Sequence, residues 1–181
     1  MGQNEIKAAI EGAIEYLTTH PDDARYTDSP ATARLTSLDG LRADVTGPNG
    51  AQLTTDMPTS VGGTNTTASP GWYLRAAEAS CVATLIAMRA ARLGVTLTDL
   101  EVTVDSESND WGILGIGEVS AGPMSTRIAV RIRGHASDTG SETGAGTTPD
   151  FREIAEWAVT HCPVTDAVRR AIPVNVEVDA G

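Results

Sequence analysis

The sequence is poor in cysteine and lacks long apolar runs, and each shortage excludes a class of protein. Two cysteines are too few for a small domain held together by disulfides, so we expect a protein of the reducing cytoplasm. No segment approaches the roughly 18 consecutive apolar residues of a membrane-spanning helix. The first residues lack the basic and apolar regions of a signal peptide. These shortages predict a cytoplasmic protein with no membrane partner.

Positive charge is also scarce. Lys7 is the only lysine, and 13 basic residues face 24 acidic ones, which gives a net charge of −11. A field of this sign repels nucleic-acid phosphates and anionic lipids, so we expect no nucleic-acid partner. The length of 181 residues suits one domain with an extension. We place the extension, a helix and a linker, at 1–30 and the domain at 31–181.

Apolar periodicity predicts an α+β fold with antiparallel sheets on central helices. Predicted helices cover 4–19 and 69–93, and a third begins near Thr148. The longest is uncharged from Ala79 to Met88, so we expect it to be buried on every side. A mobile loop is predicted at 134–148. Strands are predicted at 31–38, 41–46 and 51–56, around 100–104 and 127–133, and at 174–178.

The two cysteines are the strongest candidates for chemistry. Cys81 and Cys162 both fall on predicted core-facing helical positions. Each could simply be a small buried apolar side chain. Alternatively they form a redox pair, in which one thiolate attacks a peroxide and the other thiol condenses with the resulting sulfenic acid. The helix dipole would raise the pKa of Cys162 if it ends one helix, and lower it if it caps a helix begun by Pro163.

Other chemistry has weaker support in the sequence. His161 beside Cys162, without a second closely spaced cysteine, is a poor zinc signature, so we expect no metal site. The glycines at 112, 115 and 117 lack the order of a dinucleotide-binding loop, so no cofactor is predicted. Arg127, Arg131 and Arg133 share one strand face, where we expect them to be solvated or paired with carboxylates.

Three segments of the chain together resemble the OsmC/Ohr family, named for osmotic induction and organic hydroperoxide resistance. They are a proline-led helix with a cysteine after small residues, a short strand, and a Cys-Pro-Val segment before a terminal strand. In this sequence they read SPGWYLRAAEASCVATLIAMRAARLGV (69–95), LEVTV (100–104) and AVTHCPVTDAVRRAIPVNVEV (158–178). The resemblance covers about 31–181 and leaves the first helix outside.

This resemblance implies an intertwined homodimer, with sheets from both chains wrapped around long central helices. It implies a thiol-dependent peroxidase that reduces organic hydroperoxides, with Cys81 as the peroxidatic thiol and Cys162 as the resolving thiol. An external dithiol of the lipoyl or thioredoxin type would reduce the enzyme again. The alternative is a non-catalytic or ligand-binding member of the same dimeric fold, with buried thiols.

The chain departs from the family pattern near Cys81. Active members carry a glutamate ten residues before the first cysteine, and it binds an arginine that activates the thiolate. Gly71 occupies that position here, which favours the non-catalytic alternative. No arginine occurs between Ala43 and Leu74, so Arg42 is our candidate for the activating arginine and Arg34 is the next.

Overall fold

The computed structural model describes residues 2–136 and 150–180. Contacts divide the chain into two compact units, one of Met1–Ile10 with Ala77–Gly181 and the other of Glu11–Ala76. The architecture is α+β, as the sequence predicts, with five helices and two antiparallel sheets in the described part of the chain. None of the described helices is long and apolar enough to cross a membrane.

The smaller unit contains a three-stranded antiparallel meander. Its strands are β1 (Thr32–Leu35), β2 (Ala43–Thr46) and β3 (Gln52–Thr55), in that order across the sheet. Val45 pairs with Ala33 on one side and with Leu53 on the other. The tight turn between β2 and β3 places Asn49 and Gly50 at positive φ, 55° and 75°, which asparagine and glycine tolerate best. The predicted meander is therefore confirmed, with slightly shorter strands.

The loop after β3 is organised around the carboxylate of Asp56, which is 1% exposed. It accepts hydrogen bonds from the backbone N–H of Met57, and from both the N–H and the hydroxyl of Thr64 and Thr66. Hydrogen bonds to the charged form favour it, so they hold the pKa of this carboxyl far below its usual range.

We expect Asp56→Asn to destabilise the smaller unit. The asparagine amide would point an N–H group at donors that need an acceptor. We therefore expect the unfolding temperature of the Asp56→Asn variant at pH 7 to be lower by roughly 5 °C. Asp44→Asn is the matched control, because Asp44 is an exposed aspartate with one threonine partner. Because the folded pKa is depressed, Asp56 stabilises the fold above its unfolded pKa of about 3.9, and this contribution is lost as the pH falls below that value. Thermal unfolding followed by circular dichroism measures both effects, and equal behaviour of the two variants would contradict this assignment.

Two long helices contribute residues to both units. The first, α1 (Gln3–Thr19), is tied to the larger unit by a hydrogen bond of 2.6 Å from Gln3 Nε2 to the Val95 carbonyl. The second, α2 (Pro70–Arg92), begins as the sequence predicts: the Ser69 hydroxyl accepts from the Trp72 N–H, and Pro70 holds the first helical position. Gly94 follows its end with φ of 65°, a left-handed conformation that favours glycine.

The larger unit packs helices on a two-stranded antiparallel sheet. Its long strands are β4 (Val95–Glu107) and β5 (Ser125–Ala136), with the short helix α3 (Asp110–Ile113) between them. One face presents apolar side chains to the core, among them Leu100, Val102 and Val130. The exposed side chains of Arg127 and Arg131 on this sheet form ion pairs with nearby carboxylates, as the sequence predicts.

The core of this unit lies between the sheet, α2 and two C-terminal helices. These are α4 (Phe151–His161) and α5 (Pro163–Arg169). Asp150 caps α4 through its carboxylate, which accepts from the N–H groups of Arg152 and Glu153. The fully buried core residues come from α2, α4 and the α4–α5 junction, and are Val82, Ile86, Ala90, Ile154, Ala158 and Cys162.

Three details differ from the sequence-based prediction. No strand forms at 174–178, where Val174, Val176 and Val178 are each 79% exposed. Alternation alone does not make a strand, because a strand also needs a partner edge to bond to, and no described strand pairs with this segment. The uncharged stretch of α2 is buried on one face only, since Thr84 is exposed in this chain. Residues 134–136 belong to β5, and the rest of the predicted loop lies outside the described residues.

Candidate active site

The larger unit brings the two cysteines together. Cys81 lies on α2 and is partly exposed, whereas Cys162 lies between α4 and α5 and has no exposed surface. The two thiols are close enough to share a hydrogen bond. Both are free, with no disulfide between them. The structure thus places a partly accessible thiol beside a buried one.

Local sequence explains the position of Cys162. Pro163 lacks an N–H and fixes φ, so it interrupts α4 and begins α5. Cys162 has an extended backbone, with φ of −75° and ψ of 115°, and acts as the N-cap of α5. Its sulfur accepts a hydrogen bond from the Thr165 N–H at 3.4 Å. Cys162 also follows the last residue of α4 as its C-cap, so the structure combines the two arrangements that the sequence left open.

The two thiols differ in acidity for physical reasons. Burial raises the pKa of Cys81, and the neighbouring Cys162 sulfur raises it further. Burial also disfavours the Cys162 thiolate, but donors outweigh it and the pKa of Cys162 lies below its ordinary value. Those donors are the side chain and N–H of Thr165 and the thiol of Cys81. Within the single chain, the more acidic thiol is therefore the buried one.

A buried carboxyl group completes the cluster. Glu78 lies one helical turn before Cys81 on α2 and is 1% exposed. Its Oε1 accepts a hydrogen bond of 3.0 Å from the Thr165 hydroxyl, a contact between residues 87 positions apart. Glu78 is not predicted from the sequence, because it lies one helical turn from Cys81, whereas the family's glutamate lies ten residues before the cysteine. The contact of Thr165 with Cys162 could have been predicted from the sequence, because an N-cap side chain commonly accepts a hydrogen bond from the N–H of the third residue after it.

The activating arginine predicted from the sequence is Arg42. Arg42 belongs to the smaller unit, immediately before β2, with an exposed side chain. Its carbonyl accepts hydrogen bonds from the N–H and the hydroxyl of Thr36. A Cβ atom added to Gly71 would lie 3.9 Å from Nη1 of Arg75, whose side chain is half-buried. In the smaller unit, Arg75 therefore lies beside the position at which active members of the resembled family carry glutamate. Arg75 is not predicted from the sequence.

We expect the two thiols to ionise in the order that their surroundings dictate. Thiolate absorbance in Cys81→Ser reports Cys162, and in Cys162→Ser it reports Cys81; serine keeps a hydroxyl donor in each case. Because donors favour the Cys162 thiolate and burial disfavours that of Cys81, the first titration should lie at least about one pH unit below the second. The reverse order would mean that the single-chain environment does not govern these thiols.

Comparisons with known proteins identify the family and the fold of this chain. The family model described as "OsmC-like protein" matches residues 63–177, which include both cysteines. An OsmC-like protein from Mycoplasma pneumoniae has a similar structure, with a TM-score of 0.59 and 17% identity over 80% of this chain and 89% of that chain. No sequence among curated proteins matches the chain.

Two solved organic hydroperoxide resistance proteins share the fold as well. The protein from Legionella pneumophila has a TM-score of 0.50 and 21% identity, over 80% of this chain and 90% of that chain. The protein from Elizabethkingia anophelis has a TM-score of 0.53 and 18% identity, with the same two coverages. At such identities the likeness establishes the fold. The match of the family model over most of the sequence shows that this chain belongs to the OsmC-like protein family.

Proposed function

We propose that this protein is a thiol peroxidase that reduces organic hydroperoxides through Cys81 and Cys162. The observation that carries the proposal is the adjacency of a partly exposed and a buried thiol, both free, in a chain of the OsmC-like family. The names of two structural neighbours, which are organic hydroperoxide resistance proteins, support the substrate class.

The exposure of the thiols supports the roles that we propose for them. Cys81, the accessible thiol, attacks the terminal oxygen of the hydroperoxide as its thiolate; the O–O bond breaks and the alkoxide leaves and takes a proton to become an alcohol. Cys81 is then a sulfenic acid. The Cys162 thiolate attacks the Cys81 sulfur, the S–O bond breaks, and hydroxide leaves and is protonated to water. The product is a Cys81–Cys162 disulfide.

Cys81 needs a cation for the first step, because burial raises its pKa. We propose that Arg42 supplies this charge in the working enzyme, as the family pattern implies. The guanidinium group of Arg42 is exposed and belongs to the smaller unit. The Arg42→Ala variant tests this role directly. A peroxide reaction of Arg42→Ala at the parental rate would remove Arg42 from the mechanism.

We propose that the working protein is an intertwined homodimer of the domain at 31–181, with 1–30 as an added extension. The uncharged central helix leaves Thr84 exposed, and the valines of 174–178 are exposed as well. Leu38, at 96% exposure, adds to the apolar surface that a single chain leaves open. Light scattering tests the assembly, and a monomer at micromolar concentration would contradict it.

The disulfide is reduced by an external dithiol, which leaves as a disulfide itself. We propose a lipoyl-type or thioredoxin-type donor in a reducing compartment. The test is steady-state consumption of cumene hydroperoxide, with dihydrolipoamide and thioredoxin as alternative reductants and hydrogen peroxide as the alternative oxidant. Turnover with cumene hydroperoxide and one dithiol is the expected result. No turnover with any pair would overturn the peroxidase assignment.

A non-catalytic, ligand-binding member of the fold is the second candidate. The complete burial of Cys162 and the raised pKa of Cys81 favour it. It predicts thiols that stay reduced over many minutes in excess peroxide. The same assay therefore decides between the two functions.

A further inference from the structure

Thr165 links the two parts of the fold that position the cysteines. Its N–H donates to the Cys162 sulfur at 3.4 Å, and its hydroxyl donates to Oε1 of Glu78 at 3.0 Å. Glu78 lies one turn before Cys81 on α2, so these contacts run from the α4–α5 junction across to the helix of the other thiol. Glu78, Thr165 and Cys162 are all buried, with exposures of 1%, 3% and 0%.

The position of α5 depends on few contacts. The helix has 7 residues and is too short to be stable by itself, so packing against its neighbours must hold it. Val164 packs against the core, and Thr165 is buried. Among the hydrogen bonds described for this part of the chain, the bond from Thr165 to Glu78 joins α5 to α2. Its loss would therefore loosen α5, and with it Cys162, relative to α2.

Burial makes the hydrogen bond between Glu78 and Thr165 costly to break. Water does not reach either side chain to replace a lost partner, so removal of one group leaves the other unsatisfied. Conformations in which the remaining group reaches water are then favoured, and these move α5 away from α2. The bond does not require a particular charge on Glu78, because a hydroxyl donates equally to a carboxylate oxygen or to the carbonyl oxygen of a neutral carboxyl group.

We propose that Glu78 and Thr165 are positioning residues that hold the two sulfur atoms within reach of a disulfide. We call their hydrogen bond the Glu78–Thr165 clamp. It preorganises the reduced protein, so that less conformational freedom is lost when the S–S bond forms. The inference rests on the disulfide between Cys81 and Cys162 in the proposed function, but it does not depend on the reaction with peroxide.

The test is the equilibrium of the full chain with reduced and oxidised glutathione at pH 7, at a temperature at which every variant is folded. Oxidised glutathione takes two electrons and two protons from the Cys81 and Cys162 thiols, so each protein disulfide releases two molecules of reduced glutathione. The ratio of disulfide to dithiol protein at a known glutathione ratio gives the effective concentration of one thiol at the other. Mass spectrometry of acid-quenched samples measures this ratio.

Thr165→Val should lower the effective concentration about tenfold, because valine has the shape of threonine but lacks the hydroxyl. Thr165→Ser restores the hydroxyl and should stay within about twofold of the parent. Glu78→Leu removes the acceptor and should match Thr165→Val. Glu78→Gln keeps a carbonyl oxygen that can accept the hydrogen bond, so its loss should be less than about threefold.

Two comparisons separate positioning from a general loss of stability. Val95→Ala is the matched control, because it removes buried methyl groups where β4 begins, beyond the end of α2. It lowers the stability of the fold but should leave the effective concentration unchanged. In the double variant of Glu78→Leu with Thr165→Val, the clamp is broken only once, so the loss should equal that of either single variant.

The clamp would be refuted by equal effective concentrations in Thr165→Val and Thr165→Ser, or by a loss in Val95→Ala as large as that in Thr165→Val. Multiplied losses in the double variant, or a parent that forms no Cys81–Cys162 disulfide with glutathione, would also refute it. The threonine variants decide the matter even if Glu78→Leu does not fold. A parent that forms the disulfide with glutathione but not with cumene hydroperoxide would refute the peroxidase function alone, because the variants still measure the clamp.

Discussion

Cys81→Ser should abolish peroxide reduction. The serine hydroxyl is not ionised at neutral pH and is a far weaker nucleophile than a thiolate, so turnover with cumene hydroperoxide should fall by about a thousandfold or more. Serine is nearly isosteric with cysteine and keeps a donor for Cys162, so the fold should be retained. A coupled assay with the external dithiol measures the loss.

The matched control for this change is Ser80→Ala. Ser80 precedes Cys81 on α2, is exposed, and its hydroxyl bonds only locally to the Ala77 carbonyl among the described contacts. Its removal should leave turnover near the parental value. Retention of more than about a tenth of the activity in Cys81→Ser would show that Cys81 is not the attacking thiol. Cys162 would then be the candidate, as the more acidic of the two.

Cys162→Ser should separate the two chemical steps. Cys81 still reacts with the hydroperoxide at a similar rate, but the sulfenic acid has no thiol partner and accumulates. Turnover should fall by about a hundredfold or more, and excess peroxide should carry Cys81 on to the sulfinic acid. Serine is a good N-cap, so α5 keeps its first turn and the stability should change little.

Trapping with dimedone, followed by mass spectrometry, detects the sulfenic acid in Cys162→Ser. Cys162→Ala serves as the comparison, because alanine removes both the thiol and the cap. It should show the same trapped species together with lower stability. Full turnover in Cys162→Ser would mean that the external dithiol attacks the sulfenic acid directly, and Cys162 would not be a resolving residue.

Local features of the fold could be predicted from sequence because local chemistry determines them. Ser69, Pro70 and Gly94 define the two ends of α2, and the Gly-Pro-Asn-Gly turn sets the pairing of β2 with β3. The terminal segment at 174–178 shows where this reasoning fails. Its alternation is that of a strand, but strand formation depends on a distant edge that no local pattern reveals.

Some features of the candidate site could likewise be predicted from the sequence, and others could not. The two cysteines stand out in the sequence, and the resemblance to the family assigns them as a pair. The capping role of Cys162 could be framed only as an alternative, because it depends on where the chain turns before Pro163. The contact of Glu78 with Thr165 joins residues 87 positions apart, and no spacing rule anticipates it.

The most direct test of the central claim is the intact mass of the reduced protein after one equivalent of cumene hydroperoxide. We predict rapid loss of two hydrogen atoms, and a peptide map that joins Cys81 to Cys162. The same treatment of Cys162→Ser should add one oxygen atom to Cys81 instead. Thiols that remain reduced over many minutes in excess peroxide would contradict the claim, and the protein would then be a member of the family whose thiols are not redox-active.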